Sequence, residues 1–225
     1  MKNMRREVFC ALFCVLLIGC ATVDEKAGGN PASQRQAVFK SQSLPVTVPG
    51  TTEHSSVEAL PFQSVYFVVV TRTGKGGRTE GISRGVAFSY ERDGVDCVLV
   101  TASHVVQGAG VINVHVLMPD LTSGTGYNAT VKWIDPTRDI AALRIRSSAD
   151  CRPAHRVSDV APLGQRIAAF LNTPQSRGML SSGVVGGHWL TDVGPTIVCD
   201  MRVFPGHSGS PLLDGKGRLI GMVLS

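Results

Sequence analysis

Beyond residue 60 the chain alternates short apolar runs with small, polar or turn-forming residues. Residues 64–70 (SVYFVVV) form a continuous apolar run. Residues 86–90 and 97–101 are similar, and Arg92-Asp93-Gly94 supplies a turn between them. Residues 111–118 (VINVHVLM) alternate, as a half-buried strand does. Residues 127–134 alternate more loosely, and 140–145 are a short apolar run. Further strands are predicted over 166–171, 180–186, 196–203 and 218–224. Gly, Pro, Asp and Asn fill the separators, and no long stretch here keeps a helical period. Many short, evenly spaced strands predict an all-β barrel or sandwich, with residues 146–158 as the crossover between two halves.

The N-terminus breaks that pattern. Residues 1–6 (MKNMRR) are basic, and residues 8–18 are apolar but too few to span a bilayer comfortably. Together they predict a secretory signal peptide. Its ending, Leu17-Ile18-Gly19-Cys20, resembles the bacterial lipobox. That resemblance implies cleavage before Cys20, whose thiol then carries the diacylglycerol. Ala21 stands where Asp would favour inner-membrane retention, so the resemblance points to the outer membrane. Residues 21–55 lack periodicity and are rich in Ser, Thr, Gln, Gly and Pro, as a flexible tether is. The predicted organisation is a signal peptide over 1–19, a tether over 20–58, and two barrels over 59–150 and 151–225.

Composition narrows the function classes. The 225 residues are 43% hydrophobic, which argues against disorder of the whole chain. The net charge is +5, and Lys2, Arg5 and Arg6, opposed only by Glu7, belong to the leader. So mild a surplus, without clustered Lys/Arg and aromatics, argues against nucleic acid as a partner. If Cys20 carries lipid, Cys97, Cys151 and Cys199 remain. One disulfide and a thiol, or no disulfide, are both open in an oxidising envelope. No metal-ligand spacing is present, and no cofactor is implied.

Three segments carry candidate chemistry. In VLVTASHVV (98–106) an apolar strand runs into a small-residue turn bearing His104. In WIDPTRDIAALRI (133–145) Asp139 leads into an apolar strand, whereas Asp135 precedes Pro136 and reads as a turn former. In FPGHSGSPLL (204–213) Ser208 lies in a Gly-rich loop. A serine hydroxyl needs an adjacent base, and imidazole titrates near neutral pH. The base in turn needs a carboxylate to fix its tautomer. The order His104, Asp139, Ser208 separates scaffolds. No histidine follows Ser208, as an α/β-hydrolase would require, and the Asp does not precede the His, as in subtilisin.

These segments resemble the trypsin-like and HtrA-like proteases. TASHVV is similar to their TAxHVV motif, DIAAL to DIAxL, and PGHSGSPL to PGNSGGPL. Two weaker similarities support the register: residues 84–88 (RGVAF) to the GSGF strand and residues 181–187 (SSGVVGG) to the SGIVS strand. The resemblance spans residues 61–225. It implies two antiparallel six-stranded β-barrels with the site between them, and Ser208, His104 and Asp139 as nucleophile, base and orienting acid. It also implies oxyanion donors on the backbone N–H of Gly206 and Ser208, and peptide-bond hydrolysis without a cofactor. The expected partners are a protein or peptide substrate and, through the lipid, a membrane.

Two departures qualify the expectation. His207 stands where many relatives carry Asn and trypsins carry Asp, which argues against zymogen activation through a freed N-terminus. The chain also ends at Ser225, so the expectation is either a fragment or a second barrel that lacks its last strand and part of the specificity pocket. That second departure motivates an alternative, a catalytically impaired trypsin-like scaffold acting as a partner-binding module.

Overall fold

The computed structural model describes residues 17–19 and 62–224, apart from 75, 77, 119–121, 148–150, 157–159, 175–176 and 193. The expectations for residues 1–16 and for the tether, including Cys20, lie outside the described residues. The strands are β1 (Leu17–Gly19), β2 (Val65–Thr73), β3 (Thr79–Asp93), β4 (Asp96–Ala102), β5 (Val111–Leu117) and β6 (Ser123–Asp135). They continue with β7 (Ile140–Ile145), β8 (Arg166–Asn172), β9 (Arg177–Thr191), β10 (Gly194–Cys199), β11 (Pro211–Asp214) and β12 (Leu219–Leu224). A 3₁₀ turn, Phe62–Ser64, precedes β2, and a one-turn helix, α1 (Ser103–Val106), follows β4.

Two closed barrels result, with strand orders β2-β3-β4-β7-β6-β5 and β8-β9-β10-β1-β12-β11. The orders correspond position by position, with β1 in the place that β7 takes in the first barrel. There the likeness ends. β7 is antiparallel to both neighbours, whereas β1 is parallel to β10 and β12 and only three residues long. The place of the last strand expected in the second barrel is therefore taken by residues 17–19. Unpaired N–H and C=O groups along two facing strand edges are a template for any extended segment that reaches them.

Other strands differ from expectation in extent. The strand expected over 196–203 stops at Cys199, where the register shifts and the Asp200 carboxylate accepts the Val184 amide instead. β11 went unpredicted, because four residues show no period and its leading proline reads as a breaker; proline is tolerated as the first residue of a strand.

Strand alternation sorts the apolar residues into three clusters. Tyr66, Val68 and Val70 point into the first barrel, where they meet Leu99, Val114 and Leu143. Their neighbours Val65 and Phe67 point the other way, into a seam shared with Phe170, Leu213 and Met222 of the second barrel. β2 is a continuous apolar run because both of its faces are buried. Phe62 and Phe170 meet edge-to-face in the seam, ring centroids 5.8 Å apart. Ile167, Ala169, Val185, Ile197 and Leu212 fill the second barrel.

The crossover is stitched to both barrels. Cys151 is disulfide-bonded to Cys97 on β4, Ala154 N donates to Ser89 O (2.8 Å), and Leu219 N donates to His155 O (2.7 Å). The guanidinium of Arg156 lies 4.3 Å from the centre of the Tyr90 ring. The disulfide spans 54 positions of sequence, so removing it frees a long loop in the unfolded chain. Replacing Cys97 and Cys151 together by serine is expected to lower stability by about 2–4 kcal/mol, read from denaturant melts without reductant.

Candidate active site

The His104 turn begins where β4 leaves the first barrel. Ala102 is extended, and Ser103, Val105 and Val106 are buried while His104 stays exposed. α1 has no capping side chain of its own. Asp139, immediately before β7, supplies that function from across the sheet. Its Oδ1 accepts the Ser103 hydroxyl (2.7 Å) and the His104 amide (2.9 Å), and its Oδ2 lies 2.6 Å from His104 Nδ1. The pairing of Ala102 with Ile140 in the β4–β7 ladder brings these segments together. An ionised carboxylate only accepts, so Nδ1 carries the proton and Nε2 of the neutral ring keeps its lone pair.

Asp139 has φ +53°, and it is the one non-glycine residue with positive φ among the described residues. Asp visits this region more readily than most residues, yet the conformation still costs roughly 1–2 kcal/mol. Burial pushes its carboxyl pKa up, but bonds from the His104 ring, the His104 amide and the Ser103 hydroxyl outweigh this and hold it below 3.8. Asp135 has the turn role expected of it, accepting Thr137 N and Arg138 N at 3.0 and 3.1 Å.

Two consecutive turns, 204–207 and 207–210, share His207, and Ser208 is the second residue of the second turn. His207 N donates to Phe204 O (3.0 Å), and Ser210 N donates to His207 O (2.8 Å). Each turn has glycine at its third position: Gly206 at φ +109° and Gly209 at φ +81°. These angles fit type II turns, with Pro205 at the second position of the first. Space forbids side chains there too. A Cβ on Gly206 would lie 2.4 Å from Asn172 O, and one on Gly209 would lie 2.2 Å from Val86 O. The first turn's own bond does not use the Gly206 amide.

The Ser208 loop and the His104 turn pack on the same stretch of β3. Ser208 O accepts Val86 N (2.9 Å), and Thr101 Oγ1, on β4 just before the His104 turn, donates to Val86 O (2.7 Å). A Cβ on Gly85 would lie 2.8 Å from both Ser208 O and the Val105 side chain. The depression lined by Asp96, Asn128, Thr130, Arg144 and Arg146 lies elsewhere, at the end of β4 and β7 remote from His104 and Asp139.

Sequence reasoning missed three supporting residues. Ser103 holds Asp139, and its signal was a small hydroxyl beside the histidine. Ser210 accepts the Phe170 amide at 2.8 Å and so docks β8 on the Ser208 loop. Asn172 is buried; its Nδ2 donates to Val68 O and Gly85 O of the first barrel, and its N–H donates to Gly206 O. No local pattern marked it. Of the other histidines, His188 Nε2 donates to Ala161 O (2.7 Å), and the His155 carbonyl belongs to the crossover.

Comparison with known proteins supplies the context. Residues 85–222 match the trypsin-like peptidase domain family. A relative from Chlamydia pneumoniae, "Probable periplasmic serine endoprotease DegP-like", is 32% identical over 144 residues, covering 62% of this chain and 28% of that protein. "Serine protease HTRA2, mitochondrial" from Bos taurus is 31% identical over 168 residues, covering 70% of this chain and 35% of that protein. A solved structure, "HtrA-type protease AlgW with tripeptide", superposes with a TM-score of 0.61 at 25% identity, covering 75% of this chain and 52% of the other. The chain thus spans about a third of the length of these two curated relatives. With its paired barrels and a matched region that contains His104, Asp139 and Ser208, the chain belongs to the trypsin-like peptidase domain family.

Proposed function

We propose that this protein is a serine endopeptidase tethered to the bacterial envelope, with Ser208 as nucleophile, His104 as base and Asp139 as the residue that orients His104. The observation that carries this reading is the 2.6 Å contact of His104 Nδ1 with Asp139, whose other oxygen is held by Ser103 and the His104 amide. It leaves His104 Nε2 to take the Ser208 proton as Oγ bonds to the substrate carbonyl carbon. The carbonyl electron pair moves onto oxygen, facing the amides of Gly206 and Ser208. Each such donor contributes about 10²–10³ in rate. His104 then protonates the departing amine as the C–N bond breaks, leaving an acyl-enzyme. Water repeats the sequence and releases Ser208.

The names of the relatives support protein or peptide substrates and an envelope location. The Cys97–Cys151 disulfide fits an oxidising compartment. Cleavage before Cys20 would remove β1 from the second barrel, and lipid on Cys20 would then hold the domain at the membrane through the tether, with the outer membrane favoured by Ala21. Labelled palmitate is expected to enter the wild-type protein and not Cys20→Ser; equal incorporation would refute the anchor. For the chemistry, a fluorophosphonate probe is expected to bond covalently to Ser208. A folded protein that stays unlabelled would favour the binding-module alternative.

A further inference from the structure

His207 is fully buried directly before Ser208, and the proposed reaction leaves it without a task. Its Nδ1 lies 2.9 Å from Phe204 N and 3.1 Å from Phe204 O. The amide hydrogen of Phe204 is fixed by the backbone and points at Nδ1. A second hydrogen on Nδ1 would face it, so Nδ1 carries the lone pair and Nε2 the proton. Burial lowers the ring's pKa below 6.5, against the opposite influence of the Phe204 backbone, which agrees with a neutral ring. The Phe204 ring stacks beside it, centroids 6.1 Å apart.

We propose that His207 is a positioning residue for the oxyanion loop, its neutral imidazole accepting the Phe204 amide and so holding the turn that presents the Gly206 amide. The inference rests on the serine-protease reading and deepens it. Asn172 ties one end of the turn to the first barrel by donating its N–H to Gly206 O. His207 ties the other end at Phe204. Stability alone argues against a histidine here, because Nε2 is buried with no partner among the described residues. A buried orphan donor is destabilising, and a smaller or apolar side chain would avoid it.

The test uses the full chain with a peptide substrate and compares His207→Leu with His207→Asn. Leucine removes the acceptor, whereas the Oδ1 of asparagine stands where Nδ1 stood. His207→Leu is expected to lower kcat about 10²-fold, the scale of one misplaced oxyanion donor, and His207→Asn to restore it to within about threefold. KM is expected to stay within about threefold in both, because a donor that matters only in the transition state leaves ground-state binding unchanged. A merely structural histidine would lose stability without that split or that rescue. Hydrogen exchange at Phe204 reads the bond in the wild-type chain, even if His207→Leu fails to fold. Unchanged kcat in His207→Leu, no rescue by asparagine, or an unprotected Phe204 amide overturns the assignment. A protected Phe204 amide without Ser208-dependent turnover instead overturns the protease reading, and the positioning role with it.

Discussion

Replacing Ser208 by alanine is expected to lower kcat by on the order of 10⁶ and to abolish fluorophosphonate labelling, with the fold intact. The size of the loss follows from the acyl-enzyme. Without Oγ there is no covalent intermediate, and neither His104 nor the oxyanion amides can supply one. The fold should survive because the bonds that seat this position are made by main chain. Ser208 O accepts Val86 N, and the adjoining Gly209 N donates to Val223 O, neither of which alanine disturbs. Steady-state turnover of a peptide substrate, read beside thermal unfolding, separates the two effects. Comparable turnover in wild type and Ser208→Ala would remove Ser208 from the mechanism.

Asp139→Asn is expected to lower kcat by about 10⁴ near neutral pH, again without unfolding the protein. Asparagine has one acceptor oxygen where the carboxylate has two. If that oxygen keeps Ser103 and the His104 amide, the NH₂ group faces His104 Nδ1 and forces the other tautomer, with the proton on Nε2. A ring in that state cannot accept the Ser208 proton. The same site carries a pH signature. The folded pKa of Asp139 lies below its ordinary 3.8, so the carboxylate's contribution to stability is complete above that pH. It is lost as pH falls through the lowered folded value. The asparagine variant should lack this part of the acid limb, measured as stability against pH between about 2 and 5. A variant as active as wild type would show that His104 needs no orienting carboxylate.

Much of the fold was legible because a barrel strand declares itself locally. The run at 140–145 became β7 at its predicted bounds, and the 111–118 alternation became β5 one residue shorter. Legibility failed where the cause lies outside the segment. β3 and β9 each run for 15 residues, well past their apolar centres, because neighbouring strands continue to pair with them. β10 ends early because Asp200 takes over the Val184 amide. At the candidate site, the motifs marked His104, Asp139 and Ser208, but Ser103, Asn172 and Ser210 act through contacts that no motif records.

By itself the sequence determined the strand-rich character, the glycine-bearing turns around Ser208, and the order His104, Asp139, Ser208. Each of these depends on side-chain period, turn chemistry or order along the chain. Tertiary structure alone decided that His104 Nδ1 and Asp139 Oδ2, 35 residues apart in sequence, lie 2.6 Å from each other. It also paired Cys97 with Cys151, set the Asn172 side chain on a carbonyl 104 residues away, and placed β1 between β10 and β12. These are meetings of distant segments, settled by barrel closure, by seam packing, and by the need of buried polar groups for partners wherever the chain brings them.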